Sequence, residues 1–207
     1  MVTRKFLAFT LIELLVVVAI IGILAAVGVV AYNGYAKAAK IKATLHQHSV
    51  AVNYTQSVLS LCEIDGKQGY TNIYGTWTNY TCDYANGLTT PLVQYFILNS
   101  NFKNPYISKL VGVRSSTIYN NRDRKNGAQD LEVKIKFMQY NGVLSGFVCC
   151  HTLGLVAIER VPIASAKLKQ MDCKGTCCFA ISTVYDIDSN GNGIVKRDTV
   201  SGNSCTR

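Results

Sequence analysis

An α+β fold, a long N-terminal helix packed on an antiparallel β-sheet head, is what the 207-residue sequence predicts. Three observations carry it. An unbroken apolar run stands near the N-terminus, a seam of helical period continues past it, and strands of period two fill the second half.

The apolar run is "LAFTLIELLVVVAIIGILAA", residues 7–26, and from Phe9 to Ala31 its one ionisable side chain is Glu13. Twenty-three helical residues at about 1.5 Å each cover a hydrocarbon core of about 30 Å, so residues 9–31 are long enough to cross a membrane. A lone carboxylate is costly in lipid and needs a partner. A secretory signal would have a shorter apolar stretch and a small-residue cleavage site after it. Here the basic pair Arg4 and Lys5 precedes the run and no such site closes it. The segment is expected to stay in the mature chain.

Past the run, "YNGYAKAAK" places Tyr32 and Tyr35 at an expected membrane interface, with lysines beyond. Ile41, Leu45, His48, Val52, Thr55, Leu59 and Cys62 recur at alternating steps of four and three, one seam along a helix. Proline is absent before Pro91. One helix is therefore expected over 9–62, of which Gly22, Gly28 and Gly34 are the weak points, serving as packing notches or as places to unwind.

The motif "A-FTLIELLVVVAIIGILAA", behind a short basic leader, resembles the N-terminus of type IV pilins. The resemblance implies a leader peptide 1–8 removed by a prepilin peptidase between Ala8 and Phe9. It also implies methylation of the Phe9 amine and assembly into a helical homopolymer through Phe9 and Glu13. Many family members have Gly where Ala8 stands, and often Pro where Val30 stands. In an apolar helix stack, the new Phe9 ammonium of one subunit and the Glu13 carboxylate of another would neutralise each other, a pairing that selects register more than it adds adhesion.

The net charge is +9, divided as five Lys and Arg against Glu13 in residues 1–62 and sixteen against eleven acids in 63–207. Basic residues flank the apolar run on both sides, so charge does not orient it. Cysteine placement does. All eight cysteines lie at or beyond Cys62, and an even, dense set suits an oxidising compartment, which puts the C-terminal part outside.

The head, 63–207, begins with "GKQGYTNIYGTWTNYTCDYANG", expected as a long connecting loop. "TTPLVQYFIL" reads as a short helix with Thr90 as N-cap and Pro91 in the first turn. "NNRDRKNG" is turn-like, and Arg122, Arg124 and Lys125 offer a basic patch to DNA or, since Asp123 interrupts them, a solvated loop. "LEVKIKF" alternates as a half-buried strand, and the Asn-Gly of "QYNGVL" turns the chain so that "VLSGFVCC" returns antiparallel to it. Residues 153–170 hold a strand or a short helix. "CCFAISTVYDI" and "GIVKRDTV" form a second hairpin.

No catalytic constellation emerges, and an enzyme is not expected. His46, His48 and His151 are scattered; His46 and His48, two apart, do not share a helix face and read as surface residues. Cys149, Cys150, His151, Cys173, Cys177 and Cys178 lack the spacing of a structural zinc site. Disulfides fit better: Cys62 with Cys82 as a local pair, and Cys205 with one of Cys149, Cys150, Cys173, Cys177 or Cys178. Adjacent cysteines on a strand point to opposite faces, so neither Cys149–Cys150 nor Cys177–Cys178 is expected to bond internally.

"DIDSNGNGIVKRD" raises a metal question. Asp186, Asp188 and Asn190 alternate before Gly191, like the first half of a calcium loop, and Asn192 and Asp198 would complete the shell although Arg197 stands where a bidentate Glu belongs. It also resembles the calcium loops of some pilin-like proteins. The alternative is an Asn-Gly hairpin turn that needs no ion. In sum, the sequence leads to a type IV pilus subunit, held in the inner membrane before assembly and then displayed as an extracellular fibre for motility, adhesion or DNA uptake. A DNA-binding minor pilin and a pseudopilin of a type II secretion system are the alternatives.

Overall fold

Nothing in the first ninety residues interrupts a helix as proline would, and in the computed structural model the chain forms helix α1, Leu11–Asp65, straight through Gly22, Gly28 and Gly34. The structure describes residues 9–65, 67–71, 75–82, 89–99, 102–115, 128–138, 144–160 and 177–202. The chain divides into two units, Met1–Ala39 and Lys40–Arg207.

In the first unit every large apolar side chain, from Phe9 through Tyr35, is exposed. This half of α1 is long and apolar enough to cross a membrane.

In the second unit, α1 buries Thr44, His48, Ala51, Thr55, Val58, Leu59 and Cys62. Four of the seven expected seam positions, His48, Thr55, Leu59 and Cys62, are buried, and Ile41, Leu45 and Val52 flank them half-buried. The centre of the seam is small and polar because Thr44 and Thr55 turn their hydroxyls back to the carbonyls of Lys40 and Ala51, both at 2.8 Å, and so enter the core with no unmet donor.

Against this face lies helix α2, Thr89–Asn99, which begins one residue before the expected cap. Leu92, Val93 and Phe96 of α2 join the α1 residues in one apolar cluster with Phe102, Val113, Val156, Ile158, Phe179, Ile181 and Val200. Tyr54 stacks on Tyr95 at 3.9 Å between ring centroids and meets Phe96 edge-on at 5.0 Å.

The segment expected as a loop after Cys62 holds a hairpin instead, β1 Lys67–Thr71 and β2 Trp77–Thr81, antiparallel with Gly69 opposite Asn79. Its residues are polar on both faces, so alternation gives no contrast to read. What fixes it is local: the Trp77 ring occupies the space that a Cβ on Gly69 would fill, and the indole N–H donates to Asn79 Oδ1 at 2.9 Å.

The main sheet contains β3 Val113–Arg114, β4 Glu132–Met138, β5 Leu144–Thr152, β6 Val156–Arg160, β7 Cys177–Ile187 and β8 Asn192–Gly202, in the order β3-β6-β7-β8-β4-β5. Both expected hairpins, β4 with β5 and β7 with β8, are antiparallel. The ambiguous stretch after residue 153 supplies β6, paired antiparallel with β7. The sheet is nevertheless mixed, since β3 runs parallel to β6 and β8 parallel to β4. Along β7, Phe179 and Ile181 face the α1 cluster, while Val184 packs into a second cluster with Leu110, Leu131, Leu153 and Leu155. The basic run at 120–127, with Arg122, Arg124 and Lys125, lies outside the described residues, as do the leader to Ala8, Cys173 and Cys205.

Candidate functional site

At the N-terminus of α1, Thr10 and Glu13 stand three residues apart and serve each other. The Thr10 backbone N–H donates to Glu13 Oε2 at 2.8 Å and its hydroxyl to the same oxygen at 2.7 Å, while Thr10 Oγ1 faces the Glu13 N–H at 3.4 Å. This is a capping box, and "TLIE" spells its signature of Thr at the cap and Glu at the third helical position. The three-residue spacing of Thr10 to Glu13 is the signal in the sequence that marks this cap. Glu13 therefore has a partner within its own chain, and a carboxylate at a helix N-terminus also meets the positive end of the helix dipole. Phe9 precedes the cap, exposed. The box holds the carboxylate beside the segment that would become the N-terminus after a cut before Phe9.

A second polar constellation lies under the head. His48, expected on the helix surface, is fully buried on the α1 seam, where its Nε2 meets Asp198 Oδ2 at 2.7 Å and its Nδ1 meets Thr183 Oγ1 at 2.9 Å. Its place on the seam overrides the surface reading, and one partner from β7 and one from β8 satisfy both ring nitrogens. With Asp198 accepting from Nε2–H, the Thr183 hydroxyl donates to Nδ1 of the neutral ring. The three groups resemble a charge-relay array, but Thr183 is buried, so its oxygen meets no substrate. The array fastens α1 to the centre of the sheet.

Burial holds the His48 imidazole below its ordinary value of 6.5, and Lys196 adds to this, while the hydrogen bond and charge of Asp198 oppose it. His151 is lowered too, by burial first and by Arg197 second. Both are lowered relative to the unfolded chain, so the unfolded state takes up protons first as pH falls. Stability is complete above about pH 6.5 and declines below it. Thermal melts of the full chain in detergent between pH 7.5 and 5 should show a falling Tm, with a shallower slope in His48→Leu. Asp198→Ala should cost about 1–3 kcal/mol by leaving a buried imidazole N–H without its acceptor.

The loop between β7 and β8 closes itself. Asp188 Oδ1 accepts from the backbone N–H groups of Asn190 and Asn192 at 2.9 and 2.8 Å, and the Asn192 side-chain amide donates to both Asp188 oxygens. The Asn192 carbonyl, expected to face a metal, accepts from the Asp188 N–H across the hairpin at 2.8 Å. Gly191 takes φ of 79°, the left-handed conformation this three-residue turn requires. Asp198 is not part of this loop. It sits six residues along β8, about 20 Å away at the strand rise of roughly 3.3 Å, and it holds His48. The set Asp186, Asp188, Asn190, Asn192 and Asp198 thus does not fit one calcium shell, because a strand carries its last member away and the loop's own donors occupy Asp188. Accordingly, millimolar calcium should leave the Tm of the full chain within about 1 °C of its value in chelator, whereas Asp188→Ala should lower stability by about 1–2 kcal/mol in either. A calcium-dependent rise of several degrees would restore the ion.

Of the predicted cysteine pairs, Cys62 and Cys82 are joined, with Cα atoms 5.6 Å apart. Cys149 and Cys150 lie on β5, and Cys177 and Cys178 open β7.

Residues 3–29 match the family model of the prokaryotic N-terminal methylation motif. The type IV major fimbrial protein FimA of Dichelobacter nodosus is 35% identical over 79 residues, a stretch covering 38% of this chain and 48% of that protein. The chain thus spans about half the length of the relative it matches. No solved structure matches it. The methylation motif, the likeness to a major fimbrial protein, and a long apolar helix continuing onto a mixed sheet together make the chain similar to type IV pilins.

Proposed function

We propose that the chain is a structural subunit of a type IV pilus filament, made as a membrane-anchored precursor, cut before Phe9, and polymerised through the first half of α1. One observation carries the reading: an apolar helical segment, residues 9–35, has all its large side chains exposed and begins at a Thr10–Glu13 cap. Such a surface cannot stay in water, since a contiguous apolar patch of this length exceeds what soluble monomers expose. Lipid covers it before assembly and the same segment of other copies covers it afterwards. The prepilin peptidase and the assembly machinery are the partners this path requires, and motility, adhesion or DNA uptake would then belong to the fibre. The test is mass spectrometry of the N-terminal peptide from sheared surface fibres. The expected peptide begins at Phe9 and carries one N-methyl group. Fibres lacking this chain, or a retained Met1 in assembled material, would overturn the proposal.

A further inference from the structure

An unpartnered hydroxyl is buried at the corner where β5 passes into β6. Thr152, the last residue of β5, is 1% exposed, and its Oγ1 meets no hydrogen-bond partner among the described residues. The backbone around it is already engaged. The Leu153 N–H donates to the Leu131 carbonyl at 2.9 Å, the Gly154 N–H to the Val184 carbonyl at 2.8 Å, and the Leu155 N–H to the Thr152 carbonyl at 3.3 Å. Those three bonds fix the corner, so the hydroxyl gains a backbone partner only by breaking one of them. Left dry among leucines and valines, it would carry the full cost of its desolvation.

Thr152 lines a cavity of about 10 Å³ together with His151, Leu155, Ser182, Val184 and Val195. Leu155, Val184 and Val195 give it an apolar wall that belongs to the second cluster of the head. The other side is polar. Ser182 Oγ accepts from the Arg197 Nε–H at 2.9 Å, which leaves the serine its own hydrogen to donate. Burial, and Arg197 after it, hold the His151 ring below its ordinary pKa, so at neutral pH the imidazole has one N–H and one accepting nitrogen. A buried water needs two to four polar partners and about the volume of one probe sphere, and this site has three such groups in that volume. Nothing larger than water fits.

We propose that the cavity binds one structural water molecule, hydrogen-bonded to the Thr152 hydroxyl, the His151 ring and the Ser182 hydroxyl. The bridge joins strands that share no backbone pairing. His151 and Thr152 end β5 at the edge of the sheet, Ser182 lies on β7 near its centre, and β8 and β4 stand between those strands in the sheet order. The water therefore fastens the end of an edge strand to the middle of the sheet, on the side of the second cluster, as His48 fastens α1 on the side of the first.

Two measurements on the full chain in detergent test the site. In its crystal structure, a water peak is expected within about 3.2 Å of Thr152 Oγ1 and of at least one of the His151 ring and Ser182 Oγ. A cavity without density there, or a Thr152 hydroxyl bonded to a protein group instead, overturns the proposal. The second measurement is the melting of Thr152→Val, which keeps the shape and the β-branching of the side chain and so leaves the cavity its size. With the water bound, the variant removes one of its partners and should melt about 2–4 °C lower. An unchanged or higher Tm overturns the proposal, because a methyl group in place of an unsatisfied hydroxyl is neutral or stabilising only where the cavity is dry.

Discussion

Replacing Glu13 with alanine should abolish fibres while leaving the precursor inserted in the membrane. Insertion is spared because removing a carboxylate from an apolar segment relieves a cost. Assembly is lost because the proposed interior contact, Glu13 of one subunit with the Phe9 ammonium of another, would leave an unpaired buried charge worth about 3–5 kcal/mol, roughly a hundred-fold or more in the affinity of each contact. The capping box gives Glu13 a second role, and the two roles separate by substitution. Glu13→Gln keeps a side chain able to complete the box but carries no charge. Thr10→Ala removes the box, at about 0.5–2 kcal/mol of helix N-terminus, and keeps the charge. If the ion pair governs assembly, both Glu13 variants lose fibres and Thr10→Ala retains them in reduced amount. Fibre yield by shearing and immunoblot, beside membrane-fraction blots, reads both effects. Wild-type yield from Glu13→Gln would show that helix capping, not charge, is what the acid supplies.

The parts of the fold legible in the sequence were those with a strong period. Alternation in "LEVKIKF" and the paired runs around "DSNG" located β4, β7 and β8, and the absence of proline before Pro91 carried α1 to Asp65. The hairpin at Lys67–Thr81 was missed because Gln, Thr, Asn and Tyr on both faces carry no hydrophobic contrast. Topology was beyond local pattern altogether: β8 bonds to β7 on one side and runs parallel to β4 on the other, a non-local pairing that no spacing announces. The site divided in the same way. Phe9 and Glu13 stand out as a motif, whereas Thr10 is marked only by its three-residue spacing to Glu13. His48 was placed on the seam and yet assigned to the surface, since its partners Thr183 and Asp198 are 135 and 150 residues away. Asp198 was drawn to the calcium loop by sequence proximity, when the strand that carries it leads away from that loop.

The bridge between Cys62 and Cys82 should contribute strongly to the stability of the head. It spans 20 residues, from the last turns of α1 to the residue after β2, and so ties the whole β1–β2 hairpin to the helix. Closing a loop of that length removes about 3 kcal/mol of entropy from the unfolded chain. Both sulfurs also lie in the main apolar cluster, beside Val58 and Leu59 of α1, so the folded state positions the bond without exposing it. Replacing both cysteines with alanine avoids a stray thiol and leaves a small residue at each buried site. For a domain of this size, a loss of about 3 kcal/mol corresponds to a Tm lower by roughly 6–12 °C. The loss should be local in its first expression. Amide exchange should accelerate in the last turn of α1 and across β1 and β2 well before it changes in β7 and β8, because those central strands keep His48, Phe179 and Ile181 packed. Melting of the double variant by circular dichroism, with exchange followed by mass spectrometry, checks both claims. A Tm within about 2 °C of the parent would mean that the unfolded chain gains little freedom without the bond, and that packing alone holds the end of α1.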